Sequence, residues 1–220
     1  LFLSVVAAPS AIKTGVRVMP LSIALLAGAL GVPKLWPQVS PRRVVRVGLF
    51  LMLAGIVVLL TGIDIDATAS VVAIPMLLLG LGMGALASQL GAVTVSSVPT
   101  SESGEVGGLQ NTATNLGASI GTALAGSVLI AVLTGSLITG ITDNPDVPSD
   151  LKKEASVELA SGVPFLSDVA LEEALAAADV PADVAASVVE DNRAARVQGL
   201  DAALAVLALI AAASLLFTGR

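Results

Sequence analysis

The 220-residue chain has a formal net charge of −6, with 55% hydrophobic and only 13% charged residues, too little polar surface for a water-soluble domain of this length. It contains neither cysteine nor histidine, which removes disulfides, thiolate and imidazole catalysis and the usual zinc and haem ligands. Lipid is the expected solvent for most of the chain, and no cofactor, metal or nucleic-acid partner is expected.

The chain opens LFLSVVAAPS, without an initiator Met, a basic n-region or a small-residue cleavage site, which reads as a start inside a helix rather than a signal peptide. A bilayer-spanning helix needs about 20 mainly apolar residues. Such runs predict a partial span over residues 1–8 and complete spans over Thr14–Val32, Val44–Ile63, Ala69–Ser97, Gly107 to about Thr139, and Val197–Thr218. Arg17 lies early in the Thr14–Val32 span, placed either to snorkel to the surface or to bind an anionic or aromatic group. Pro20 and Pro75 fall inside spans, where proline loosens or kinks a helix.

After Val32, KLWPQVSPRRVVR gathers Lys34, Arg42, Arg43 and Arg46 beside a Pro-broken turn, a cytoplasmic signature. Alternate crossings from there put Lys13, Arg17, Asp64 and Asp66 outside, the SESGE turn inside, the segment from Asp143 to Asn192 outside, and the C-terminus with Arg220 in the cytoplasm. Lys152, Lys153, Arg193 and Arg196 then fall outside, against the charge bias, although long loops carry little topological weight.

Of the 17 acidic residues, 12 lie between Asp143 and Asp191, a stretch too polar to cross a membrane. The predicted organisation is therefore transmembrane helices over 1–142, an acidic extracytoplasmic loop over 143–196 and a last transmembrane helix over 197–220. Inside the loop, SDLKKEASVELA, LSDVALEEALAAA and PADVAASVVEDNRAARV begin with Ser, Asp or Pro and continue with apolar residues at helical spacing, predicting short amphipathic helices. Such a loop serves either as a solvated cap on the bundle or as a collector of ligand.

Small residues at Ala113, Gly117, Gly121 and Ala125 give one helix face with almost no side chain, and Gly80 and Gly84 repeat the pattern with Gly82 between them. Close helix packing is expected on both faces, fixed or sliding. Asn111 and Asn115 lie one turn apart beside Gln110 and Thr112, and Gln89 sits deep in the Ala69–Ser97 span. Amides at such positions need interhelical partners or a watery cavity, and both readings stand. Asp201, just inside the last span, is the carboxyl best placed for conformation-dependent protonation, the alternative being a solvated interfacial group. No convergent acid, base, nucleophile or metal constellation is visible, so an enzyme is not expected.

Three stretches carry a family resemblance: SAIKTGVRVMPLSIALL with its mid-helix proline, VSPRRVVRVGLFLMLAG with its basic turn, and GLGMGALASQLGAVTVSSVPTSESGEVGGLQNTATNLGASIGTAL. Over essentially its whole length the chain resembles the C-terminal half of a major facilitator superfamily transporter, in the fourteen-helix drug:proton antiporter branch. The last stretch is the most specific. Its Gly80, Gly82, Gly84, Pro99, Gly104, Gly108, Leu109, Asn111, Gly117 and Gly121 match the family's Gly-rich helix, short turn and small-faced helix.

The resemblance implies an all-α polytopic transmembrane helical bundle in the plasma membrane, the C-terminal half of a major facilitator fold with a large acidic extracytoplasmic loop. It further implies proton-coupled export of amphipathic compounds or drugs by alternating access. The implied partners are the lipid bilayer, a small amphipathic substrate, protons and the N-terminal half that the chain lacks. Gln89, Asn111, Asn115 and Arg17 are then pathway candidates and Asp201 the proton-coupling candidate. Gly80, Gly84, Gly117, Gly121, Pro20 and Pro75 serve helix packing or gating, and Arg42, Arg43 and Arg46 form the cytoplasmic basic turn. Two departures stand out: the family's basic motif is reduced to Arg42 and Arg43, and no acidic residue lies within 107–139. Rival readings are a carrier of another solute, such as a siderophore, peptide or sugar, and a non-transporting scaffold or sensor that binds a partner through the outer loop.

Overall fold

The computed structural model describes residues 11–62, 72–96, 98–99, 101–143, 168–178 and 180–218, with Pro145, Val147, Ser149 and Lys152 between. The partial span over 1–8, Asp64, Asp66, most of SDLKKEASVELA, Arg220 and the side chain of Arg17 lie outside the described residues. Within them the regular structure is entirely helical: α1 Ala11–Leu35, α2 Pro41–Gly62, α3 Ala73–Ser96, α4 Ser103–Asp143, α5 Asp168–Ala177 and α6 Ala182–Phe217. Among the described residues, four helices are long and apolar enough to cross a membrane, at Val18–Leu35, Pro41–Gly62, Ser103–Asp143 and Ala182–Phe217, and Ala73–Gln89 is a shorter apolar stretch.

The helix starts follow local chemistry. Ser40 precedes Pro41, and its carbonyl accepts from the backbone N–H groups of Arg43 (2.9 Å) and Val44 (3.3 Å), so α2 begins with proline at its first position, where no donor is missed. Pro75 occupies the third residue of α3 and is fully buried, so it opens that helix rather than kinking a mid-span. Pro20 lies within α1, which continues through it.

α3 lies between α1 and α2, and glycine decides how closely. A Cβ at Gly80 or Gly84 would collide with the carbonyl oxygens of Leu21 and Leu25 on α1, and one at Gly28 would meet Leu81 O at 2.9 Å. On its other side, a Cβ at Gly82 would reach Gly48 O of α2 at 2.6 Å. Backbone therefore rests on backbone at both contacts, an arrangement that gains dispersion without a hydrophobic driving force.

α4 and α6 form the second packed pair. Leu129, Leu133, Leu137 and Ile141, spaced four apart, bury one stripe of α4, and Val184 and Ala195 of α6 meet it together with Val147. At about 1.5 Å per residue, helices of 41 and 36 residues far exceed a hydrocarbon core of about 30 Å. Leu204 packs with Val18, Leu59, Val72 and Met76 near the ends of the shorter helices, so the portion of α6 before it runs past them alongside the second half of α4. α5 packs on this extension of α6. Lys152 Nζ donates to Thr142 O at 2.8 Å, satisfying a carbonyl in the last turn of α4.

The segment predicted as a separate short helix, PADVAASVVEDNRAARV, is thus continuous with the last span. Its start lies at Ala182 rather than Val197, because no glycine or proline interrupts the chain from Ala182 to Gln198. LSDVALEEALAAA does form a helix of its own, α5.

Candidate functional site

Where α3 and α4 diverge, a groove of about 500 Å³ opens between α2, α3 and α4. Met52 of α2 and Met83, Leu86 and Ala87 of α3 form its apolar side; Gly107, Gln110, Asn111 and Thr114 of α4 form the other. Each helix contributes at helical spacing, i, i+3, i+4 on α3 and i, i+3, i+4, i+7 on α4. Gly107 leaves the α4 wall open, and the thioethers are flexible enough to adapt to different shapes.

Three hydroxyls in this part of α4 are occupied by its own backbone. Thr112 Oγ1 donates to Gly108 O, Thr114 Oγ1 to Gln110 O and Ser119 Oγ to Asn115 O, each at 2.9 Å. The amides are freer: Asn115 Nδ2 donates to Asn111 Oδ1 at 3.3 Å, which leaves the Asn111 amide N–H donors for the groove. Among the described residues, no charged side chain lines it. The site can hold an amphipathic molecule against thioether and aliphatic carbon while amides bond its polar edge.

Of the amides singled out in the sequence, Asn111 lines this groove and Asn115 supports it from the next turn. Gln89 is half-buried and donates through Nε2 to Ser88 Oγ at 3.2 Å; it is not part of the lining. Asp201 is half-buried on α6, away from the groove. Gln110, noted in the sequence beside Asn111, also lines the groove; Met52 and Met83 were not singled out, and only Met83 has a sequence signal, its helical spacing with Leu86 and Ala87. Residues 111–120 of α4 are exposed throughout, and a Cβ at Gly117 or Gly121 would find nothing within 4 Å among the described residues. The small-residue face predicted to pack closely is open, because α4 meets α6 through its leucine stripe farther along.

α5 is fastened to α6 by charge. Asp168, the first residue of α5, bonds Arg196 through Oδ1 and Arg193 through Oδ2 (3.0 Å), and Arg193 also pairs with Glu190 at 3.0 Å. Arg196 is only 1% exposed. Arg193 and Arg196 are therefore both matched by carboxylates. A second cavity of about 500 Å³ lies between α4 and α6, crossed by a hydrogen bond from Ser136 Oγ to Gln198 Oε1 (2.7 Å), with Asp191 beside Gly140.

No family model matches the chain, and no solved structure is similar enough to count as a match. It is similar to the "Multidrug efflux pump LfrA" of Mycolicibacterium smegmatis, 27% identical over 208 residues that cover 93% of this chain and 38% of the relative. It is similar as well to the "Tetracenomycin C resistance and export protein" of Streptomyces glaucescens, 28% identical over 215 residues covering 96% of this chain and 38% of that protein. The chain thus spans about 38% of the length of both relatives. Both are export proteins, and the apolar helices are those of a multi-pass membrane protein.

Proposed function

We propose that the chain is the C-terminal part of a secondary exporter of amphipathic compounds, of the drug:proton antiporter kind within the major facilitator superfamily. It works in the plasma membrane with its C-terminus cytoplasmic, by alternating access driven by proton entry. The observation that carries this reading is the uncharged groove between α3 and α4, with Asn111 facing two methionines, on a chain whose relatives are exporters. The exposed amide- and glycine-bearing stretch of α4 is one wall of the pathway, with Asn111 and Asn115 as its polar groups; it is completed by the rest of the transporter, and Gln89 of α3 and Arg17 of α1 are further pathway candidates. Asp201 is the carboxyl proposed for proton coupling. A wall without carboxylates favours neutral hydrogen-bonding compounds over cations.

The test is efflux of fluorescent amphipathic compounds, one neutral and one cationic, from cells expressing the exporter that contains this chain. Efflux should stop when the proton gradient is collapsed. Asn111→Leu, at unchanged membrane abundance, should weaken export of the neutral compound about fivefold, the effect of one lost hydrogen bond. Absence of any efflux with the protein in the membrane would refute the reading.

A further inference from the structure

The turn between α1 and α2 holds a site that export does not use. A groove of about 310 Å³ is lined by Val32, Trp36, Val39, Arg43, Val44 and Val47: four valines, an indole and a single guanidinium. It lies between the ends of two helices long and apolar enough to cross a membrane, hence at the depth where hydrocarbon gives way to headgroups. Trp36 is 61% exposed, and indole rings settle at that boundary.

The charge of this region is one-sided. Residues 1–63 contain Lys13, Arg17, Lys34, Arg42, Arg43 and Arg46 and no Asp or Glu at all. Arg46 is engaged, donating through Nε (3.0 Å) and Nη2 (2.9 Å) to Thr218 O at the end of α6. Lys34, Arg42 and Arg43 make no hydrogen bond or ion pair through their side chains among the described residues. Arg42 and Arg43 also occupy the first turn of α2, which has no acidic residue and where the positive end of the helix disfavours a cation. The turn itself supplies no negative charge to balance them.

We propose that this groove is a binding site for an anionic phospholipid, its phosphate on Arg43 with Arg42 and Lys34 beside it and an acyl chain along the valines. A zwitterionic lipid fits the valines equally well but leaves the cationic surplus uncompensated, so headgroup charge is what the site selects. A soluble acidic partner would meet Arg42 and Arg43 but would have no use for an apolar groove running down between two membrane helices.

Trp36 is the one tryptophan of the 220 residues, which makes it the reporter. The 220-residue chain is reconstituted in phosphatidylcholine nanodiscs that contain the same fraction of brominated phosphatidylglycerol or brominated phosphatidylcholine. The anionic lipid should quench Trp36 several-fold more effectively, and rising KCl should erase the difference as the charges are screened. Arg43→Gln should reduce the preference about fivefold, with helical content checked by circular dichroism. Equal quenching by the two lipids in the unsubstituted chain overturns the proposal, as does a preference indifferent to salt. A folded Arg43→Gln chain that keeps the full preference overturns the assignment to Arg43.

Discussion

α3 and α4 carry the same motif, small residues four apart, and use it in opposite ways. On α3 the glycines are consumed: Gly80 and Gly84 admit the backbone of α1, and Gly82 admits that of α2. On α4, Gly117 and Gly121 meet nothing within 4 Å among the described residues, on a stretch exposed all round from Asn111 to Ile120. The difference teaches that a small-residue face states how near a neighbour is able to come and leaves open whether one has come. α4 reaches its neighbour with large residues instead, through the leucine stripe that begins at Leu129. One helix is therefore clamped over its second half and bare over its first, and the bare half holds the amides.

The contrast predicts where substitutions hurt. The largest effect should come from Asp168→Ala, which takes the bonded carboxylate from buried Arg196 and also from Arg193. Breaking a buried ion pair costs about 3–5 kcal/mol, and the loss should appear as faster hydrogen exchange and proteolysis of α5. Leu133→Ala comes next: Leu133 is 0% exposed at the centre of the α4–α6 contact, and its truncation should lower stability by about 2–5 kcal/mol in chemical unfolding. Were the clamped half of α4 as loose as its bare half, Leu133→Ala would not register.

Gly84→Val tests the other side of the comparison. Its side chain would have to enter the α1 backbone at Leu25, and overpacking of this kind costs about 1–3 kcal/mol or more, read as a lower melting temperature in detergent. How much of this was legible in the sequence depends on the element. The apolar runs located α1 to α4 within a few residues, as for α2, expected from Val44 and found from Pro41. The start of α6 was missed because a hydropathy scan stops at charges, whereas the helix runs through Glu190, Arg193 and Arg196 by pairing them with one another and with Asp168. At the groove, the Asn111–Asn115 pair was readable from its spacing. Met52 was not, because it joins the groove only through the approach of α2 to α3 at Gly48 and Gly82, a tertiary fact with no local trace.

The smallest expected change is the most informative. Gly117→Ala adds a methyl group where the described residues leave open space, and alanine is the better helix former by about 0.8–1.0 kcal/mol, so α4 should be slightly stabilised in this chain. Gly84→Ala, one methyl group at the equivalent face of α3, should destabilise it. Equal effects would mean that the two faces are in the same state, and the comparison would fail. The sharper outcome is functional. If the bare face of α4 closes against the rest of the proposed exporter, Gly117→Leu should not lower the melting temperature of this chain but should abolish the proposed efflux. Efflux that tolerates Gly117→Leu would count against closure of this face in the proposed exporter.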